Sequence, residues 1–135
     1  MTTARLAIAA RFKQDLAPAG AAKPWVVKAA PWVPAQVAKD QPAVAVWRAS
    51  MERQGVGILH QLTINLYLPK ASNDDAAETE AEDALDDLLT SLQRVKGASW
   101  SRAERQVFDQ VISGWQITCQ LASEDVYRQA VLAGG

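Results

Sequence analysis

ILHQLTINLYL, residues 58–68, is the stretch of sequence that decides the fold. Apolar side chains alternate along it with polar or aromatic ones. The apolar set comprises Leu62, Ile64, Leu66 and Leu68, and the intervening set comprises Gln61, Thr63, Asn65 and Tyr67. Because successive side chains of a β-strand point to opposite faces of a sheet, this period of two predicts a strand. We expect one face to lie in the core and the other in water or beneath a partner, and we expect Pro69 to end the strand.

A second strand-like segment, residues 43–53, comes just before it and begins with an apolar run. Gly55 and Gly57 lie between the two segments, and glycine allows the backbone conformations that tight hairpin turns require. Residues 43–53 and 58–68 are therefore predicted to form a long antiparallel hairpin.

The next segment predicts an amphipathic helix from Asp74 or Asp75 to Val95. Its apolar positions recur at helical spacing: Ala81, Leu85, Leu88, Leu89, Leu92 and Val95. Acidic side chains fill its N-terminal half, whereas Arg94 and Lys96 lie at its C-terminal end. This distribution complements the helix dipole.

The N-terminal part predicts a helix over residues 4–16 and then an irregular arm over residues 17–42. Five of the six prolines fall in this arm, together with Trp25 and Trp32. A short strand fits within residues 23–30, and the prolines confine the rest of the arm to a sheet edge or an extended segment.

Two more strands, residues 98–108 and 111–121, are predicted to form a second hairpin after the acidic helix. A chain of 135 residues that is 49% hydrophobic can bury one core. We therefore predict a single domain over residues 1–135 of the α+β class, in which a single-layer antiparallel sheet of about four to five strands packs against two helices.

Composition excludes some functional classes. The net charge of −1 and the pI near 5.8 give no overall basicity for sequence-specific nucleic-acid binding. No apolar run is long enough to predict a membrane span. The single cysteine, Cys119, fits a reducing compartment such as a bacterial cytoplasm and is predicted to be a small core residue.

Charge is unevenly distributed along the chain. Residues 1–56 carry a net charge of +5, residues 57–96 carry −5, and the remainder carries −1. These two parts either neutralise each other within one fold or form opposite patches that meet between neighbouring subunits. In a head-to-tail ring, such complementary patches set orientation and register.

The inventory of catalytic residues predicts no enzyme. His60 is the only histidine and falls on the core side of its strand, and no nucleophile, phosphate-loop or zinc-hydrolase motif is present. Asp83 and Asp87, or Glu82 and Asp86, are four apart and could share a cation. Since hard-cation sites need ligands from several segments, a solvated acidic face is the preferred interpretation, and we expect no metal or other cofactor.

Four motifs resemble those of the tail-terminator and minor tail proteins of long-tailed siphophages. They are HQLTINLYLP at residues 60–69, AEDALDDLL at 81–89, SRAER at 101–105 and GWQIT at 114–118. The resemblance runs from the first helix to about Tyr127.

The resemblance implies a structural virion protein that assembles in the host cytoplasm into a ring, a hexamer in that family. Such a ring stops growth of the tail tube at its head-proximal end and offers the tail to the head connector. Its implied partners are further copies of itself, the tail-tube protein on one face and the neck or connector protein on the other. Genome DNA passes through the lumen of such a ring, and neither a membrane nor a cofactor is involved.

Partner contacts are predicted in the arm around the two tryptophans, at the hairpin turn 53–57 and in the loop 70–75. The tryptophans are interpreted either as cover over the chain's own core or as anchors on a neighbour. The candidate interface residues are Trp25, Trp32, Arg48, Arg53, Lys70, Asp74, Asp75, Asp83 and Asp87.

Three alternative functions are left open. A head-completion or neck protein shares the small α+β domain and ring symmetry. A ligand-binding regulatory domain predicts a concave apolar pocket and a two-fold interface. A hydrolase that uses the acidic helix to bind a metal predicts stabilisation by divalent cations.

Overall fold

A computed structural model describes residues 4–69 and 75–124, with only the backbone of Glu124. It contains two helices and five strands. In chain order these are α1 Ala4–Leu16, β1 Val26–Lys28, β2 Ala43–Gln54, β3 Gly57–Tyr67, α2 Asp75–Gln93, β4 Ala98–Phe108 and β5 Ile112–Glu124. The predicted α+β class is confirmed.

The strands form one open sheet in the order β1-β2-β3-β5-β4. All neighbours are antiparallel apart from β1, which runs parallel to the start of β2. Both predicted hairpins are present, and β5 pairs along the whole length of β3. The alternating stretch at residues 58–68 therefore lies in the middle strand of the sheet.

Both helices cover one face of the sheet and contact each other. α1 packs on β1 and β2, and α2 packs on β4. The core between the helices and the sheet contains the following fully buried side chains: Ile8, Phe12, Val44, Val46, Leu62, Ile64, Leu66, Leu88, Leu92, Ile117 and Cys119. Burial of each large aliphatic side chain contributes about 1.5–3 kcal/mol to folding, so this layer dominates stability.

A polar network joins the two helices beside this core. Asp15 accepts hydrogen bonds from Nε and a terminal nitrogen of Arg11, each at 2.9 Å, and from Ser91 Oγ of α2 at 2.7 Å. A guanidinium nitrogen of Arg94 lies 3.1 Å from the same carboxylate. The hydrogen bonds from Arg11 and then Ser91 lower the pKa of Asp15 and keep it charged. The network fixes how the end of α1 sits against α2.

The second face of the sheet is covered at one end by the chain itself. Tyr67 is fully buried there and Asn65 nearly so. The ring of Trp32 packs edge-on against Tyr67 at a centroid distance of 6.1 Å, and that of Phe108 does so at 4.8 Å. The expectation that this face lies in water or under a partner is therefore wrong at this end. Because β1 is parallel to β2, the segment that joins them returns over the second face and brings Trp32 onto it.

Element boundaries differ from prediction by a few residues. α2 ends at Gln93 rather than Val95, because the amides of Arg94 and Val95 turn back to the carbonyls three residues earlier. β5 extends to Glu124, beyond the predicted end at residue 121, since β3 offers pairing partners as far as Gly57. The bounds of α1 are as predicted.

Candidate interaction surfaces

On each side of the sheet, one strand has an outer edge that is at least partly unpaired. β1 pairs only with Ala43–Ala45 of β2, so residues 46–52, which we call the free part of β2, have no outer strand partner in the described part of the chain. On the opposite edge, β4 pairs only with β5. Unpaired edge strands present a row of backbone N–H and C=O groups that can pair with another strand.

Basic side chains lie beside the free part of β2. An open cleft of about 320 Å³ is lined by Ala4, Arg5, Pro31, Trp47 and Arg48. We call this the basic cleft. Neither of its arginines has an ion pair with any residue that the structure describes. The first turn of α1 adds the positive end of a helix dipole, and it contains no acidic side chain.

Acidic side chains lie on the other half of the molecule, on the solvent side of α2. We call this set the acidic face: Glu80, Glu82, Asp83, Asp86 and Asp87. Glu78 of the same helix pairs with Arg105 of β4 at 3.3 Å, which shows that α2 lies next to this edge. Burial, together with the charges of Asp83 and Asp86, raises the pKa of Asp87. The acidic face therefore has a surplus of negative charge that would favour a cationic partner.

The two tryptophans of the arm pack on the chain itself. Trp25 lies against the main core, and its amide donates to the carbonyl of Leu16 at 3.2 Å. Trp32 covers Tyr67, and the ammonium of Lys28 lies 5.8 Å from the Trp32 ring centre. This is the arrangement that the core-cover interpretation predicts, while a role as anchors on a neighbour stays a prediction.

The remaining candidates lie in separate places. Arg48 lines the basic cleft, and Arg53 lies near the tip of the β2–β3 hairpin. Asp83 and Asp87 share the acidic face, and Asp75 is the exposed first residue of α2. The other two candidates, Lys70 and Asp74, lie outside the described residues. The nine candidates thus contribute to several surfaces rather than one site.

Exposed apolar side chains mark the two ends of the sheet. Val56, at the tip of the β2–β3 hairpin, is 84% exposed. Val107 and Val111 flank the β4–β5 turn at the opposite end and are 64% and 76% exposed. Sequence reasoning selected the first turn but missed the second, although two valines around Asp109 and Gln110 are a usable signal of an exposed apolar turn.

Arg5 and Trp47 were also missed as cleft residues. Arg5 belongs to a predicted helix and Trp47 to a predicted strand, and no local pattern indicates that they meet. Trp47 is the chain neighbour of Arg48, and only the tertiary packing of α1 beside β2 brings Arg5 to both of them.

His60 and Cys119 are both held in the core-facing layer. His60 is 7% exposed, and its Nε2 lies 2.8 Å from Ser123 Oγ. Its Nδ1 has no hydrogen-bond partner among the described residues. Burial and then the nearby charge of Arg48 lower the pKa of His60, so the ring is neutral at pH 7. Burial raises the pKa of the Cys119 thiol to about 12, which keeps it protonated and unreactive.

Within residues 4–69 and 75–124, no three or more histidine, cysteine or acidic side chains converge in a way that could hold a metal ion. None of the helices in that part of the chain is long and apolar enough to cross a membrane. A comparison with models of known protein families finds no match, and no curated protein is significantly similar in sequence.

Proposed function

We propose that the protein is a structural virion component that forms a ring at the head-proximal end of a phage tail. In this role it stops polymerisation of the tail tube and joins the tail to the head connector. The proposal takes its partners from the sequence resemblance to tail terminators, and the observation that carries it is the pair of unlike apolar hairpin tips at opposite ends of one sheet.

The two tips supply what a terminator needs along its axis. Val56 lies with Gly55 in a two-residue turn, whereas Val111 is the last residue of a turn in which Asp109 and Gln110 both have positive φ. The two ends therefore differ in shape as well as in composition. One end fits the last layer of tail tube, and the other rejects further tube subunits and accepts the neck.

The exposed valines at both tips can contribute binding free energy to a complex. Large apolar side chains at 64–84% exposure gain little from folding, and burying them against a partner stabilises a complex by about 25 cal/mol per Å² of apolar area. Loops held by a rigid sheet are also a frequent place for binding residues. The sheet holds both tips at a fixed separation, as two stacked partners require.

Electron microscopy of the purified protein mixed with siphophage tail tubes tests the proposal. We expect density at one end of each tube and an arrest of tube growth when free tube protein is added. Val56→Asp and Val111→Asp should each abolish one axial contact, while Leu6→Asp replaces an exposed apolar residue of α1 and serves as the matched control. Tube ends without added density, and tubes that grow as before, would refute the proposal.

A head-completion or neck protein is the closest alternative, because it also stacks between two unlike partners. The same mixture distinguishes it: a neck protein binds to purified connectors and leaves the growth of tail tubes unchanged.

A ligand-binding regulatory domain is the candidate from another class, and its ligand would have to bind in one of two open clefts. Besides the basic cleft, a second cleft of about 290 Å³ lies between the arm and the start of β2, lined in part by Trp32 and Val37. Such a domain would be a concentration-independent dimer that retains a small molecule, and native mass spectrometry would detect both properties.

A further inference from the structure

We propose that copies of this chain associate head to tail through their sheet edges. The outer edge of β4 on one copy pairs with the free part of β2 on the next, and the acidic face of the first copy lies beside the basic cleft of the second. This inference deepens the proposed ring and rests on it for closure into a ring.

Strand direction permits this pairing. The order β1-β2-β3-β5-β4 is antiparallel at each step from β2 to β4, so β2 and β4 run in opposite directions at the two edges. A neighbour related by rotation about an axis along the strands brings β4 beside β2 in antiparallel orientation. Through the pairings of β3 and β5, residues 46–51 of β2 lie level with residues 98–103 of β4, whereas residues 104–106 lie level with residues 43–45, whose outer edge β1 occupies. Pairing of residues 46–51 with residues 98–103 of a neighbour therefore extends one sheet across the interface.

Charge selects this arrangement over a two-fold one. A two-fold interface joins a surface to its own copy, so β4 against β4 would bring two acidic faces together and β2 against β2 would bring two basic clefts together. The head-to-tail interface instead places the carboxylates of α2 near Arg5 and Arg48, which have no ion pair within the described part of their own chain. Opposite charges at such an interface set orientation and register.

The edges also carry features that limit indiscriminate pairing. Each has a register shift, between Arg48 and Ser50 in β2 and between Trp100 and Arg102 in β4. Bulges twist an edge locally and discourage flat, unspecific strand addition. A partner strand must therefore accommodate these shifts in order to pair with either edge.

Charge reversal tests the inference. The association of the full chain is measured by sedimentation over a concentration series at low and high salt. We expect Arg48→Glu, and separately the pair Asp83→Lys with Asp87→Lys, to weaken association by about tenfold. Lys39→Glu reverses an exposed charge of the arm and is the matched control that should leave association unchanged. Circular dichroism shows whether each variant is folded.

Mixing the two kinds of variant gives the sharpest outcome. A head-to-tail interface predicts that Arg48→Glu chains and α2-reversed chains, each weak alone, associate together, because the carboxylate introduced in β2 of one copy meets the lysines introduced in α2 of the other. Stronger self-association of the α2-reversed chain would indicate a two-fold acidic interface and overturn the inference. A protein that remains monomeric up to about 1 mM would overturn it as well.

Hydrogen exchange examines the backbone part. The amides of residues 46–51 and 98–103 should exchange more slowly in the oligomer than in dilute monomer. Unchanged exchange at both edges in an oligomer would refute strand pairing. Oligomers that show slower exchange at both edges but do not bind tail tubes would refute the proposed function alone. Charge-reversed variants that still form rings at tube ends would refute only the proposed interface.

Discussion

Replacement of Tyr67 by phenylalanine isolates the contact that holds the arm on the second face of the sheet. The Tyr67 hydroxyl donates to the carbonyl of Trp32 at 2.5 Å and accepts from Asn65 Nδ2 at 3.1 Å. Phenylalanine keeps the ring but leaves a carbonyl and a buried amide without this partner. Each unsatisfied buried polar group costs about 1–3 kcal/mol, which for two groups gives about 2–6 kcal/mol. Because the contact with Trp32 is only partly buried, we expect the lower end of this range, about 2 kcal/mol.

Urea unfolding monitored by tryptophan fluorescence measures this loss as a shift of the midpoint at constant m-value. Thr63→Val is the matched control, because Thr63 lies on the same strand face and its hydroxyl has no hydrogen bond with any described residue. Its free energy of unfolding should change by less than about 0.5 kcal/mol. If Tyr67→Phe is equally neutral, or if only the control is destabilised, the hydroxyl does not hold the arm.

The core layer allows three further tests. Gly114→Ala should destabilise by about 3 kcal/mol or more in thermal or urea unfolding, because an added Cβ overlaps the carbonyl oxygen of Leu66; a loss below about 1 kcal/mol would contradict that contact. Because folding lowers the pKa of His60 from 6.5, the unfolded chain takes up the proton first, so stability is full above pH 6.5 and declines as the pH falls below it. Urea unfolding over a pH series should show this slope in the native chain but not in His60→Gln, and equal slopes would refute it. Cys119, with its pKa raised to about 12, should react with iodoacetamide only as fast as the protein unfolds, and mass spectrometry that finds peptide-like labelling rates would show that the thiol is accessible.

Local patterns predicted the elements whose side chains repeat with a clear period. The alternation around Leu62 and the helical spacing around Leu88 each indicate an element and its buried face, and both faces are buried as predicted. The C-terminal end of α1 results from the proline and glycine after it. These signals suffice because period and chain breakers act over a few residues.

Features that depend on distant residues escaped prediction. The burial of Tyr67 results from Trp32, 35 residues earlier, and from the parallel pairing of β1, whose three residues contain no signal of direction. The basic cleft is similar, since Arg5 and Arg48 come together only through the packing of α1 beside β2. The unpaired sheet edges, too, depend on strand order, which is a property of the whole fold.

The parallel pairing of β1 with β2 also orders the events of folding. α1 and β1 contact each other and two elements that are synthesised later, β2 and α2. Trp32 likewise packs against Tyr67, which is synthesised 35 residues after it. During synthesis the first 42 residues therefore emerge with little to pack against, and the β2–β3 hairpin, which needs only a short turn, is the earliest long-range structure available. The N-terminal third should acquire amide protection after the hairpin in pulse-labelled refolding, so this chain is completed from its middle outward.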